Sequence, residues 1–240
     1  MKKEKNFGDL VCGFYSFIGV VAVVVELCCF ILMISGFETE MKVKLFGIEL
    51  ESLEYHQAKL YWERGNPMPK ERLEIFYTVM DSLSEDVTVE YSLDENPTDF
   101  FYLTEETITR LYEIDPGNIA FARGGEVFLE PITGSEKIDD GLFAMILVHE
   151  YVHVIQYNHE SYLNEYAKDV GWKEEIPQAE ENFYKVLSQY SLENPHEDMS
   201  ETYMFSYLCG NNLEALSEAR IQHVEDFWGI PREQYCQNFH

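Results

Sequence analysis

Basic residues are scarce in this chain: 17 lysines and arginines stand against 44 aspartates and glutamates, a formal net charge of −27 over 240 residues. A surface so rich in carboxylate repels phosphate backbones, which reward lysine and arginine, so nucleic acid is not expected as a partner. Anionic lipid headgroups are repelled as well, and basic peptides are weakly favoured. Cysteine is sparse too. Of five cysteines, Cys12, Cys28 and Cys29 fall in one apolar run, leaving Cys209 and Cys236, enough for a single disulfide. No C-x-x-C pair exists and Cys28 lacks the small neighbours of a lipidated cysteine, so neither cysteine-bound zinc nor a lipoprotein anchor is supported. There is no internal repeat, low-complexity tract or long flexible linker, and the 46% hydrophobic content is that of a folded protein.

Residues 1–36 differ from everything after them. Lys2, Lys3 and Lys5 precede a stretch from Val11 to Ile34 that is apolar apart from Ser16, Glu26 and two glycines. A bilayer crossing needs about 20 such residues, whereas the apolar core of a cleavable signal is about 7 to 15. No A-x-A site follows, so an uncleaved transmembrane helix is favoured, with cleavage after Gly36 as the alternative. The lysines are expected to stay in the cytoplasm, which makes the chain a single-pass protein of the cell membrane with residues 37–240 outside the cell. Glu26 at mid-membrane is expected to be protonated or paired with another helix.

Beyond the anchor, Lys42–Leu50 alternates like a short strand, and Leu53–Arg64 and Glu71–Leu83 read as helices, the second opened by Pro69. Val87–Tyr91 and Phe100–Leu103 read as strands. Thr104 is suited to cap a helix that ends near Ile114 at Asp115-Pro116-Gly117. Ile119–Ala122 and Val127–Leu129 flank Gly124-Gly125 as a β-hairpin. From Asp140 onward the pattern is mainly helical. The expected fold is therefore α+β, with residues 37–115 forming the N-terminal part of the exported domain and 116–240 its catalytic core.

Gly141 to Tyr157 reads GLFAMILVHEYVHVIQY, apolar on nearly every face, which is the pattern of a helix buried in protein. His149 and His153 lie four residues apart, on one helical face, where two imidazoles reach a single metal ion. Burying two imidazoles and a carboxylate without partners would be costly, and a metal supplies the partner. In such an arrangement zinc activates a water, and Glu150 takes the proton and returns it to the leaving amine. The third ligand is open. His159 follows His153 by six residues, nearly the metzincin pattern HExxHxxGxxH, but Gln156 replaces the glycine that would make the sharp turn. The alternative lies in NPHEDMSETYMFSYLCG, where Pro195 opens a helix that Gly210 should close, with Glu197 and Glu201 one turn apart. Zinc held by two histidines and a carboxylate is the open catalytic arrangement, and a further acid nearby holds an imidazole N–H.

His149-Glu150-Tyr151-Val152-His153, followed by Tyr190, Glu197 and Glu201, resembles the gluzincin metallopeptidases, in particular the branch that includes the catalytic domain of anthrax lethal factor. The resemblance covers residues 118 to 228. It implies a zincin-like domain with a small mixed sheet and an active-site helix, with Glu197 as the third zinc ligand and Glu201 as the partner of a ligating imidazole. It also implies Tyr190 as the donor that stabilises the oxyanion, and residues Ile119–Leu129 as an edge along which an extended substrate adds as a strand. His196 could compete with Glu197, and Tyr203 or Tyr207 could serve in place of Tyr190. The expected activity is zinc-dependent hydrolysis of peptide bonds in a peptide or protein substrate. Two further classes stay open: an inactive zincin-like scaffold at the membrane, and a hydrolase of a non-peptide amide. The oligomeric state is not legible.

Overall fold

The computed structural model describes residues 43–44, 46–86, 98–112, 120–130, 140–173, 176–177, 188–208 and 216–228. The apolar run Val11–Ile34, the expected strand Val87–Tyr91, Cys209, Gly210 and Cys236 lie outside them. Among the described residues no helix is long and apolar enough to cross a membrane. The chain divides into two compact units, Met1–Ile48 and Glu49–His240. The second holds every element named below.

That unit is α+β. Five strands form one mixed sheet in the order β1-β2-β3-β5-β4: β1 Leu50–Tyr55, β2 Ala58–Glu63, β3 Thr98–Tyr102, β4 Ala120–Arg123 and β5 Glu126–Leu129. The two hairpins, β1–β2 and β4–β5, are antiparallel, while β3 runs parallel to both β2 and β5. A two-residue turn joins β4 to β5, with Gly124 at φ 62° and Gly125 at φ 86°. Positive φ at both central residues is the mirror-image turn whose twist suits a tight hairpin, and glycine adopts it without a Cβ penalty.

The first hairpin corrects two expectations. Leu53–Arg64 is not a helix but the turn and two strands of β1–β2, and of the described residues in Lys42–Leu50 only Leu50 is in a strand, Val43 and Lys44 being helical. The hairpin turns at His56, whose φ of 50° is unusual for a residue with a Cβ. Parallel pairing of β2 with β3 then fixes it, beginning with the Thr98 amide donating to the Gln57 carbonyl at 2.7 Å. Pairing of this kind is a tertiary effect that overrides local helix preference.

Phe100 and Phe101, adjacent on β3, point to opposite faces of the sheet. Phe100 meets Phe76 edge-on at 5.3 Å and stacks on Tyr151 at 6.5 Å. These belong to helices α1, Lys70–Asp86, and α3, Asp140–Asn158. Phe101 stacks between Tyr61 and Phe128, and Phe128 in turn meets Tyr112 of α2, Glu105–Tyr112. Thr104 caps α2, its hydroxyl accepting from the Thr107 amide at 3.3 Å.

The rest is mainly helical, as expected: α4 Glu160–Val170, α5 Pro195–Leu208 and α6 Glu218–Trp228, with a short two-stranded ribbon, β6 Trp172–Lys173 and β7 Ile176–Pro177. Helix α3 runs through the centre of the core. Leu147, Val148, Val152 and Ile155 are all fully buried around it. Apolar residues on nearly every side leave it little solvent face in this stretch, so His149 and Glu150 are buried and His153 is partly buried at the edge of the core.

Candidate metal centre

Helix α5 is placed against α3 by its own start. Asn194 accepts the Glu197 amide at 3.0 Å through its side-chain oxygen, and Pro195 occupies the first helical position. One residue further, Asp198 anchors the helix from behind. Its fully buried carboxylate takes hydrogen bonds from Arg220 Nη2 at 2.9 and 2.8 Å and from the Trp172 indole at 2.8 Å. Tyr166 of α4 donates to the Asp198 carbonyl at 3.2 Å. Three elements, α4, β6 and α6, thus hold the first turn of α5, with Glu197 on the side facing α3.

There His149 Nε2, His153 Nε2 and Glu197 Oε2 converge. The separations are 3.1 Å between the two nitrogens, 3.0 Å from His149 to Glu197 and 3.2 Å from His153 to Glu197. The far nitrogens of both rings are also engaged. His149 Nδ1 lies 3.3 Å from Glu201 Oε1, and His153 Nδ1 lies 3.0 Å from Gln156 Oε1. An imidazole that donates its Nδ1 proton presents a bare lone pair at Nε2. Three acceptor atoms therefore meet, and such a meeting needs a positive charge between them.

A proton is one such charge. Burial would lower the His149 pKa, but hydrogen bonds to Glu197 and Glu201 outweigh it and raise the imidazole to about 9. Burial alone would raise Glu197, yet the two imidazoles draw it down to about 2. A divalent cation is the other. Tetrahedral zinc with bonds of about 2.0 to 2.1 Å sets neighbouring donor atoms about 3.3 to 3.4 Å apart. The observed triangle is a few tenths of an ångström tighter and has the right donor types, so His149, His153 and Glu197 could hold a metal ion.

Glu150 is buried beside this group, and burial raises its carboxyl pKa against the opposing pull of the two imidazoles. Its carboxylate accepts the Ala122 backbone N–H, which ties it to β4, a sheet edge among the described strands. Tyr190 sits on a single 3-10 turn, Tyr190–Leu192, half exposed, with its ring 5.8 Å from that of His149. Burial, and after it the charges of Glu197 and Glu150, push its hydroxyl well above the ordinary range. Two clefts adjoin the group and share Ala120, Glu150 and Tyr190. One, of about 400 Å³, runs along Ala120–Gly125 past Glu150, Glu197 and His196. The other, of about 550 Å³, is more apolar and is lined by Leu142, Met145, Ile146, Met204 and Phe205.

The alternatives read from the sequence take other places. His159 breaks α3 from α4 at the N-terminal boundary of α4 and is not part of the cluster. His196 bonds through Nδ1 to Gln156 Oε1 at 3.1 Å instead of joining the three acceptors. Tyr203 is fully buried, with its hydroxyl donating to the His223 carbonyl at 3.0 Å. The side chain of Tyr207 lies outside the described residues. Sequence reasoning missed Asp198 and Arg220 and saw Gln156 only as the residue in place of a glycine; most of their partners come from other elements and carry no local signature. No family model, curated protein or solved structure matches the chain.

Proposed function

We propose that this chain is a zinc metallopeptidase of zincin-like fold, held at the cell surface by an N-terminal membrane helix. The observation that carries the reading is the convergence of His149, His153 and Glu197, with a buried glutamate beside them in an open cleft. When bound there, zinc would supply Lewis acidity, making water acidic enough to lose its proton near neutral pH and polarising a carbonyl. The chain's own groups do the rest. Glu150, whose proton affinity is raised by burial, accepts the proton from water and delivers it to the departing amine. Tyr190 offers a hydroxyl at the cleft wall to the oxygen on which negative charge develops. Glu201 holds the His149 tautomer through Nδ1. The outer edge of β4, the last of the described strands in its sheet, runs beside Glu150, which engages it only at the Ala122 N–H, so an extended peptide can add to it as a further strand. The lysines ahead of Val11–Ile34 support a cytoplasmic N-terminus and an external catalytic domain.

The full chain, purified in mild detergent, should bind about one zinc per molecule and cleave an unstructured protein. Glu150→Gln should keep the metal and lose cleavage by at least about 100-fold, the usual scale of general acid–base catalysis. Normal cleavage by that variant would remove Glu150 as the base, and a fully zinc-loaded wild type that turns over no peptide would defeat the peptidase reading.

A further inference from the structure

Gln156 follows His153 by three residues, at the position where the metzincin pattern carries glycine. It is 2% exposed, and every hydrogen-bonding position of its amide is engaged. Nε2 donates to the His196 carbonyl at 2.9 Å and to Ser200 Oγ at 3.1 Å, while Oε1 lies 3.0 Å from His153 Nδ1 and 3.1 Å from His196 Nδ1. The orientation of this amide follows from its surroundings. A backbone carbonyl only accepts, so the NH₂ group must face His196 O, which turns the carbonyl oxygen toward both imidazoles. An oxygen at 3.0 Å selects a proton on His153 Nδ1, with Ser200 Oγ a more distant neighbour of the same nitrogen at 3.3 Å. Nε2 of the same ring is then left bare and aimed at Glu197 and His149.

We propose that Gln156 is the positioning residue for His153: it fixes the tautomer and the ring angle that make this histidine a metal ligand, and with the same oxygen it fastens His196 at the cleft wall. The inference rests on the metal reading of the cluster and is independent of whether the bound metal hydrolyses peptides. The two imidazoles of the centre are held unequally. His149 donates to a carboxylate, Glu201, and His153 to a neutral amide, Gln156.

The two ends of the side chain can be separated by substitution. Gln156→Met keeps the length and loses both the acceptor and the donors. Gln156→Glu loses the NH₂ group but keeps an acceptor for His153 Nδ1. Zinc affinity is measured on the full chain by competition with a chelating dye, and the visible spectrum of the cobalt-loaded protein reports ligand geometry. Gln156→Met should bind zinc about 10- to 100-fold more weakly and should alter the cobalt bands, whereas Gln156→Glu should stay within about threefold of wild type and keep them. Melting of the metal-free variants serves as the control, because both lose the bonds that the NH₂ group donates to the His196 carbonyl and to Ser200. The proposal is overturned if Gln156→Met binds zinc like wild type, or if Gln156→Glu weakens binding as much as Gln156→Met does. A wild type that binds no zinc overturns it together with the metal reading. A wild type that binds zinc and cleaves nothing leaves this proposal standing and refutes only the peptidase.

Discussion

The buried pair of Asp198 and Arg220 is open to a quantitative test. Both side chains are almost wholly buried, and the guanidinium reaches both carboxylate oxygens at 2.8 to 2.9 Å. Arg220→Met leaves the Asp198 carboxylate in the core with the Trp172 N–H as its remaining side-chain donor. Breaking a buried pair in this way costs about 3 to 5 kcal/mol, because one charge is left uncompensated. For a domain of this size that corresponds to a fall in Tm of about 6 to 20 °C. The combined change Asp198→Asn and Arg220→Met removes both charges and should recover most of the loss, to within about 1 to 2 kcal/mol of wild type. Urea unfolding followed by tryptophan fluorescence measures Arg220→Met, Asp198→Asn and the double change against wild type, with Trp172 itself part of the probe. Since Asp198 sits beside Glu197 at the start of α5, zinc affinity of Arg220→Met should fall as well. If Arg220→Met costs less than about 1 kcal/mol, or the double change costs the sum of its parts, the pair is not the anchor of that helix.

The metal-free protein should show a pH signature from the His149–Glu197 pair. His149 is raised from 6.5 to about 9, so its contribution is fully present below pH 6.5 and is lost as pH rises through 9. Glu197 is lowered from 4.5 to about 2, so the same ion pair contributes above pH 4.5 and is lost as pH falls through 2. The Tm of chelator-treated protein should therefore drop between pH 6.5 and 9 by more in wild type than in Glu197→Gln, and equal drops in the two proteins would refute the pairing. At the hairpin, Gly125→Ala forces a side chain into φ 86° with the Tyr157 ring 3.6 Å from the new Cβ. It should destabilise the protein by about 1 kcal/mol or more; an unchanged urea midpoint would mean that the turn relaxes freely.

Much of the candidate site could be read from the chain because its chemistry is encoded at helical spacing. His149 and His153 are brought together by the turn of a single helix, and the apolar residues around them announce that the helix is internal. The Gly124-Gly125 hairpin was equally legible, since two consecutive positive φ values call for glycine. The β1–β2 hairpin was not. Its turn at His56 has neither glycine nor asparagine, and Glu, Leu, Lys, Gln and Ala in that stretch all favour helix when judged alone. Pairing with β3 decides otherwise, and β3 lies about 40 residues further on in sequence. Gln156 and the Asp198–Arg220 pair were hidden for the same reason. Their hydrogen bonds span 40 and 22 positions respectively, and no periodicity records a contact of that kind.

Helix α3 carries the two imidazoles on the same few turns whose remaining faces are packed against the sheet and the neighbouring helices. The aim of the donor atoms is thus inherited from the oily interior and not from a loop that could adjust by itself. A methyl group removed beneath Leu147 or Val152 would be felt at the centre as a small misalignment of nitrogen, well before the domain came apart. Chemistry and cohesion here share one piece of hardware, so substitutions that loosen the interior should blunt reactivity even when they touch no polar atom.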